Sequence, residues 1–122
     1  MKDSDTDMKK RAKPFAANLA SRKMMEAEGW TCSVTEQTIP HCFIKRDTYG
    51  FGDLLCCSPS KGIMLVQATG GGNMSHRAEK MRLEPRSAIW LASGGRIQIH
   101  DWVKRADKKG RFCRILEITS QS

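Results

Sequence analysis

Asp53 opens an otherwise apolar run, Leu54-Leu55-Cys56-Cys57, and a second apolar run, Ile63 to Thr69, carries Gln67 and Thr69 two positions apart. Between them Ser58-Pro59-Ser60-Lys61-Gly62 has the composition of a hairpin turn. Residues two apart on a strand share a face, and hairpin strands lie about 5 Å apart, so the pattern predicts that Asp53 and Gln67 meet on one side of a sheet. An aspartate oxygen and an amide oxygen at a common point make a resting place for a divalent cation or a phosphate. An acid at the head of an apolar strand is costly if buried unpaired, which argues against a simple turn residue. Gln67 also suits a hydrogen-bonded core amide, and Thr69 is a good strand residue in its own right.

The elements that position these residues follow from periodicity. Pro14, then Phe15, Leu19, Ala20, Met24 and Ala27 at helical spacing, predict a helix with those residues inward that Gly29 stops. Trp30, Cys32 and Val34 alternate with Thr31, Ser33 and Thr35, the period of a half-buried strand, and Pro40 ends it. After the two runs around Asp53 and Gln67, Gly70-Gly71-Gly72-Asn73 is a loop. A helix is expected from Ser75 as its cap, with Ala78 and Met81 inward, a break at Pro85, a continuation through Ser87 to Leu91, and a stop at Gly94-Gly95. Two strands, Arg96 to Trp102 and Phe112 to Thr119, close the chain around the basic turn Asp107-Lys108-Lys109-Gly110. The order α-β-β-β-α-β-β predicts an α/β fold with a mixed central sheet of about five strands flanked by helices. Residues 1–12 read as a polar, frayed tail and 13–122 as a single domain, since 122 residues support one core.

Charge indicates the partner. The chain holds 21 Lys and Arg against 13 Asp and Glu, a formal net charge of +8, which attracts polyanions. The basic residues cluster at Lys9 to Lys13, at Arg77, Lys80, Arg82 and Arg86, and at Lys104, Arg105, Lys108, Lys109, Arg111 and Arg114. On one face these form a phosphate-contacting surface; dispersed, they are solubilising charges. The five cysteines include no Cys-x-x-Cys pair and no zinc-finger spacing, and Cys32, Cys56 and Cys113 sit in apolar runs, so a reducing cytoplasm is expected and structural zinc is not. No apolar stretch is long enough for a membrane span, and the amino terminus is charged. The triple glycine lacks the Gly-Lys-Ser/Thr ending of a phosphate-binding Walker loop. His41, His76 and His100 show no ligand spacing and read as surface or partly buried; Trp90 and Trp102 fit core positions better than base-stacking ones.

Over roughly residues 14 to 119 the chain resembles the PD-(D/E)XK nuclease superfamily, in which an Asp begins one core strand and a Glu-x-Lys triplet follows on the next. The resemblance rests on Arg46-Asp47-Thr48-Tyr49-Gly50-Phe51-Gly52-Asp53-Leu54-Leu55, on Gln67-Ala68-Thr69 in the place of Glu-x-Lys, on Arg77 with Lys80, and on His100-Asp101-Trp102. Small phage-type nucleases and Holliday-junction-resolvase-like proteins look most similar. The resemblance implies a restriction-endonuclease-like core and a metal-dependent DNA endonuclease, with Mg²⁺ or Mn²⁺ held by Asp53 and Gln67 to activate water and neutralise the scissile phosphate. It implies catalytic positions at Asp53, Gln67, Thr69, Glu36 and Lys80, where Glu36 matches a further acid of some members. It also implies DNA, including branched DNA, as partner, with Lys45, Arg46, Arg77, Lys80, Arg82, Lys104, Arg105, Lys108 and Lys109 as contacts, and it allows a homodimer. Thr69 departs from the pattern: a hydroxyl does not supply the positive charge of a lysine, so Lys80, Arg77 or Lys45 must replace it if the site is active. The alternatives are a non-catalytic nucleic-acid-binding module and a phage interaction protein on the same fold.

Overall fold

The computed structural model describes residues 15–35, 37–39, 44–46, 48–107 and 109–119, with side chains of 37–39 and 44–46 left aside. Helix α1 (Ala17–Ala27) ends as expected before Gly29, whose φ of +95° reverses the chain at no steric cost. Strands β1 (Thr31–Val34), β2 (Gln37–Ile39), β3 (Ile44–Arg46), β4 (Leu54–Ser58) and β5 (Gly62–Gly70) follow, then helices α2 (Met74–Leu83) and α3 (Pro85–Ala92), and strands β6 (Arg96–Lys104) and β7 (Arg111–Ile118). The result, among the described residues, is an α/β fold with a five-stranded mixed sheet in the order β1-β4-β5-β6-β7 and three helices.

Within the sheet β1, β4 and β5 form an antiparallel meander, β6 joins β5 in parallel, and β7 is antiparallel to β6. The parallel step needs a crossover, which α2 and α3 supply. Pro85 breaks the helical run as predicted: it takes the first turn of α3, where its missing N–H costs nothing, and Glu84 caps that helix by accepting the Arg86 N–H.

Alternation divides the core into two layers. Met64 and Val66 of β5 join Leu54, Cys56, Cys32, Trp30 and Met25 on the α1 side. Leu65 joins Phe51, Ile97, Ile99 and Ile118 with Ala78 and Met81 of α2 on the other. Each fully buried aliphatic side chain contributes about 1.5–3 kcal/mol by leaving water.

Several local expectations change. The β2–β3 hairpin is an addition, too short to announce itself in the sequence. Ser75 does not cap α2; Asn73 occupies the cap position and turns its amide to the Gly70 carbonyl. The inward face of α1 is Ser21 and Met25, while Phe15 and Leu19 stay 40% and 50% exposed, and Val34 is exposed too. His100, expected at the surface or partly buried, is fully buried.

The position of His100 explains the face α1 presents. Its Nδ1 meets Ser21 Oγ at 2.8 Å, and Ser21 Oγ also accepts Trp102 Nε1–H at 2.9 Å. On the other side His100 Nε2 meets Gln98 Oε1 at 2.9 Å, and Gln98 Nε2 donates to Glu117 at 3.1 Å. Because the Glu117 carboxylate only accepts, Gln98 must offer its amide oxygen to His100, which therefore carries its proton on Nε2 and accepts from the Ser21 hydroxyl. Burial holds the His100 pKa down at about 4, so the ring is neutral near pH 7. This polar chain pins α1 to β6 through groups 79 and 81 residues apart in sequence. No described helix is long and apolar enough to cross a membrane.

Candidate functional site

Parallel pairing of β5 with β6 puts the carboxyl ends of both strands at one edge of the sheet, where Gly70 stands opposite Trp102. Strand β4 runs the other way and begins at that edge. Asp53, the Gly70–Gly72 loop and the β6–β7 turn therefore share one end of the molecule. Open α/β sheets place their ligands at this end, where connections diverge and leave a crevice.

Asp53 lies one residue before the last ladder pair, Leu54 with Val66, and its N–H donates to the Val66 carbonyl at 2.8 Å. Leu54 faces α1, so alternation turns Asp53 toward the α2 side, the side of Leu65, Gln67 and Thr69. Its Oδ2 accepts the Ala68 N–H at 3.0 Å, between Gln67 and Thr69. The carboxylate thus takes over from the ladder where β4 has not yet started, and it is only 4% exposed. Asp53 and Gln67 therefore share one face of the sheet, the coarser part of what the two apolar runs predict.

Gln67 is buried and lines a cleft of about 180 Å³ together with Gly50, Phe51, Met81, Glu84 and the cations Arg77 and Lys80. Arg77 and Lys80 lie three residues apart, so one turn of α2 carries both. The structure brings these three expected residues together. Asp53 and Thr69 flank Gln67 without lining the cleft. Thr69 is 7% exposed and its hydroxyl turns to the Gly70 carbonyl at 3.5 Å, the character of a packed strand residue.

Asp101 was not singled out by sequence reasoning beyond its place in the His100-Asp101-Trp102 motif. It pairs with Thr69 across β5 and β6 and is completely buried. Oδ1 accepts the Gly72 N–H at 3.1 Å, and Oδ2 pairs with Arg114 at 3.2 Å. It ties the glycine loop to the sheet. Arg111 works nearby: its Nη1 donates to the Trp102 carbonyl at 3.0 Å and its guanidinium lies 4.5 Å over Phe15. An acid inside the strand Arg96–Trp102 was the available signal for Asp101, but it reads as the solvent side of a strand until the loop above it is known.

Among the remaining expected contacts, Arg82, Lys104 and Lys109 are exposed and Arg105 is half-buried. Lys104, Arg105 and Lys109 belong to the β6–β7 turn region and do not line the cleft. His76 is exposed on α2. Glu36, His41, Asp47 and Lys108 lie outside the described residues, as do the side chains of Lys45 and Arg46, whose backbone forms β3.

The donor set bears on a metal ion. Among the described residues no three His, Cys, Asp or Glu groups gather around a point. Magnesium, however, is held in many sites by one or two carboxylates, substrate phosphate and water, and the hard oxygens of Asp53 and Gln67 on neighbouring strands are donors of that kind.

Fold and site together define an α/β protein with a five-stranded mixed sheet and a cation-lined cleft beside a buried aspartate. No protein-family model, curated protein or solved structure matches the chain.

Proposed function

We propose that the protein is a metal-dependent DNA nuclease of the PD-(D/E)XK, resolvase-like kind in which helix α2 supplies the positive charge that Thr69 does not. The observation that carries this reading is the placement of Gln67 in one cleft with Arg77 and Lys80, while the Asp53 carboxylate is bound between Gln67 and Thr69. The order of a helix, a three-strand meander, a helical crossover and a parallel strand supports it further.

In this reading Arg77 and Lys80 hold the phosphate and stabilise charge developing on it, as cations fixed in a partly enclosed cleft do best. Gln67 orients the reacting groups with its amide, and Asp53, locked by the Ala68 N–H, presents a carboxylate that does not need to reorganise. Asp53 and Gln67 are the residues to hold Mg²⁺ or Mn²⁺, which when bound generates a hydroxide nucleophile and neutralises phosphate charge. In the same reading the exposed Lys104 and Lys109 serve as further phosphate contacts.

A second reading, a nucleic-acid-binding module without catalysis, is favoured by the packed hydroxyl of Thr69 and by the lack of a three-group metal cluster among the described residues. Incubation with linear and branched DNA plus Mg²⁺ or Mn²⁺ separates the two. Metal-dependent cleavage that disappears in Asp53→Asn supports the nuclease. Salt-sensitive, metal-independent binding without cleavage supports the module, and cleavage undiminished in Asp53→Asn rejects the assigned site.

A further inference from the structure

Next to the cleft, the turn bridged by Thr48 and Gly52 carries an aromatic ring to the surface. Tyr49, at its tip, has φ +57°, the one positive value at a non-glycine among the described residues. Such backbone strain persists only where surrounding structure enforces it, and it gathers at functional sites. Here the enforcement is visible. The Tyr49 ring packs 6.3 Å from Phe51 and 6.2 Å from Trp90, and the Arg86 guanidinium lies 5.8 Å over it. Tyr49 nevertheless stays 39% exposed.

Arg86 is not a free cation. Its Nε and Nη2 donate to the two oxygens of Glu84 at 2.9 and 3.0 Å, and Glu84 also accepts the Arg86 N–H. These bonds hold the Glu84 carboxyl down at about 2. A Cβ on Gly50 would lie 3.4 Å from Arg86 Nη2, so turn and guanidinium are packed together. With its charge matched by Glu84 and its side chain 53% exposed, Arg86 offers a planar face and not a phosphate-binding charge. Gly50 and Glu84 both line the cleft of Gln67, Arg77 and Lys80, so the flat layer adjoins the cations.

We propose that Tyr49 and Arg86 form a stacking platform for an unpaired nucleobase, belonging to a single-stranded or branched nucleic acid whose backbone phosphate occupies the adjoining cleft. This rests on the reading of the cleft as a phosphate site and adds to it the class of substrate. In an intact duplex each base already has both faces covered by its neighbours, so a surface platform serves only bases that have left the stack. A ring and a guanidinium plane accept any base, because every base has a π face; the site is therefore tolerant of sequence and selective for strandedness.

The test is equilibrium binding of the full chain to fluorescent probes at one fixed salt concentration. The probes are a short oligothymidylate, an abasic strand with the same number of phosphates, and a duplex of the same length. The oligothymidylate is expected to bind roughly fivefold to a hundredfold more tightly than the abasic strand, the range of a stacked base. In Tyr49→Asn, chosen because asparagine tolerates positive φ, that advantage vanishes while abasic binding stays as it was. A strand carrying 2-aminopurine loses fluorescence on binding to the wild-type chain and not to the variant. Equal affinity for base-bearing and abasic strands overturns the platform and leaves the phosphate cleft standing; so does duplex binding as tight as single-strand binding. If no probe binds, both readings fall. The wild-type comparison decides the matter even if the variant does not fold.

Discussion

The Oδ2 atom of Asp53 accepts the main-chain N–H of Ala68 at 3.0 Å, replacing a ladder bond that β4 begins too late to make. One carboxylate therefore carries a structural duty and, under the proposed function, a chemical one, and substitution separates them. Asp53→Asn keeps an oxygen for Ala68 but loses the charge: cleavage is expected to fall by about 100-fold or more, the scale of removing a key electrostatic group, with DNA affinity within a few-fold of wild type. Asp53→Ala leaves the partly buried Ala68 N–H without this partner and also costs about 1–3 kcal/mol of stability. Cleavage assays and urea melts of the two variants check both parts.

Arg77 and Lys80 share the cleft with Gln67, and under the proposed function their contribution to nucleic-acid binding is electrostatic. Removing either by Ala is expected to weaken binding to all sequences alike and to lower the slope of log K against log salt by about 1, because one phosphate fewer is neutralised. Arg22, paired with Glu26 on α1, serves as the control and leaves the slope unchanged when replaced. A salt titration of each variant measures this directly.

Asp101 is fully buried against the Gly72 N–H and Arg114. Asp101→Ala is expected to cost about 2–3 kcal/mol, toward the lower end for a broken buried pair because Arg114 remains half-exposed to water. The loss is local first: hydrogen exchange at Gly71 and Gly72 accelerates before exchange in β6 does.

His100 makes stability depend on pH with a defined sign. Burial lowers its pKa from 6.5 to about 4, so between those values the unfolded chain binds the proton and the folded chain does not. Stability is then fully present above pH 6.5 and is lost as pH falls through about 4, by about 3 kcal/mol from this group alone. A histidine titration followed by NMR should show one ring resisting protonation to about pH 4, and a value for His100 near 6.5 would contradict the buried network. Ser21→Ala, which removes the partner of both His100 and Trp102, is expected to destabilise by about 1–3 kcal/mol.

Cys32 and Cys56 face each other across paired strands with their sulfurs 3.0 Å apart, both buried, and burial pushes the Cys56 thiol up. Burial likewise pushes Cys113 up to about 11. Among these described cysteines, iodoacetamide is expected to label exposed Cys57 first, Cys113 slowly, and Cys32 and Cys56 only after unfolding, as read by mass spectrometry.

The sequence by itself determined what depends on local geometry. Period-two alternation with a short turn brought Asp53 beside Gln67, the proline at 85 split the second helical run, and Gly29 and Gly94 ended helices because positive φ suits them. These are properties of neighbouring residues, whose faces and dihedrals follow from residue type. Only the tertiary structure decided which faces meet. It set Ser21 of α1 against His100, turned Asp101 under Gly72, and put Arg77 and Lys80 into one cleft with Gln67. It also made Tyr49 the neighbour of Arg86, since nothing in a local pattern says where a turn and a distant helix will touch. Such contacts depend on strand order and helix docking, and these follow from how the whole chain buries its apolar area.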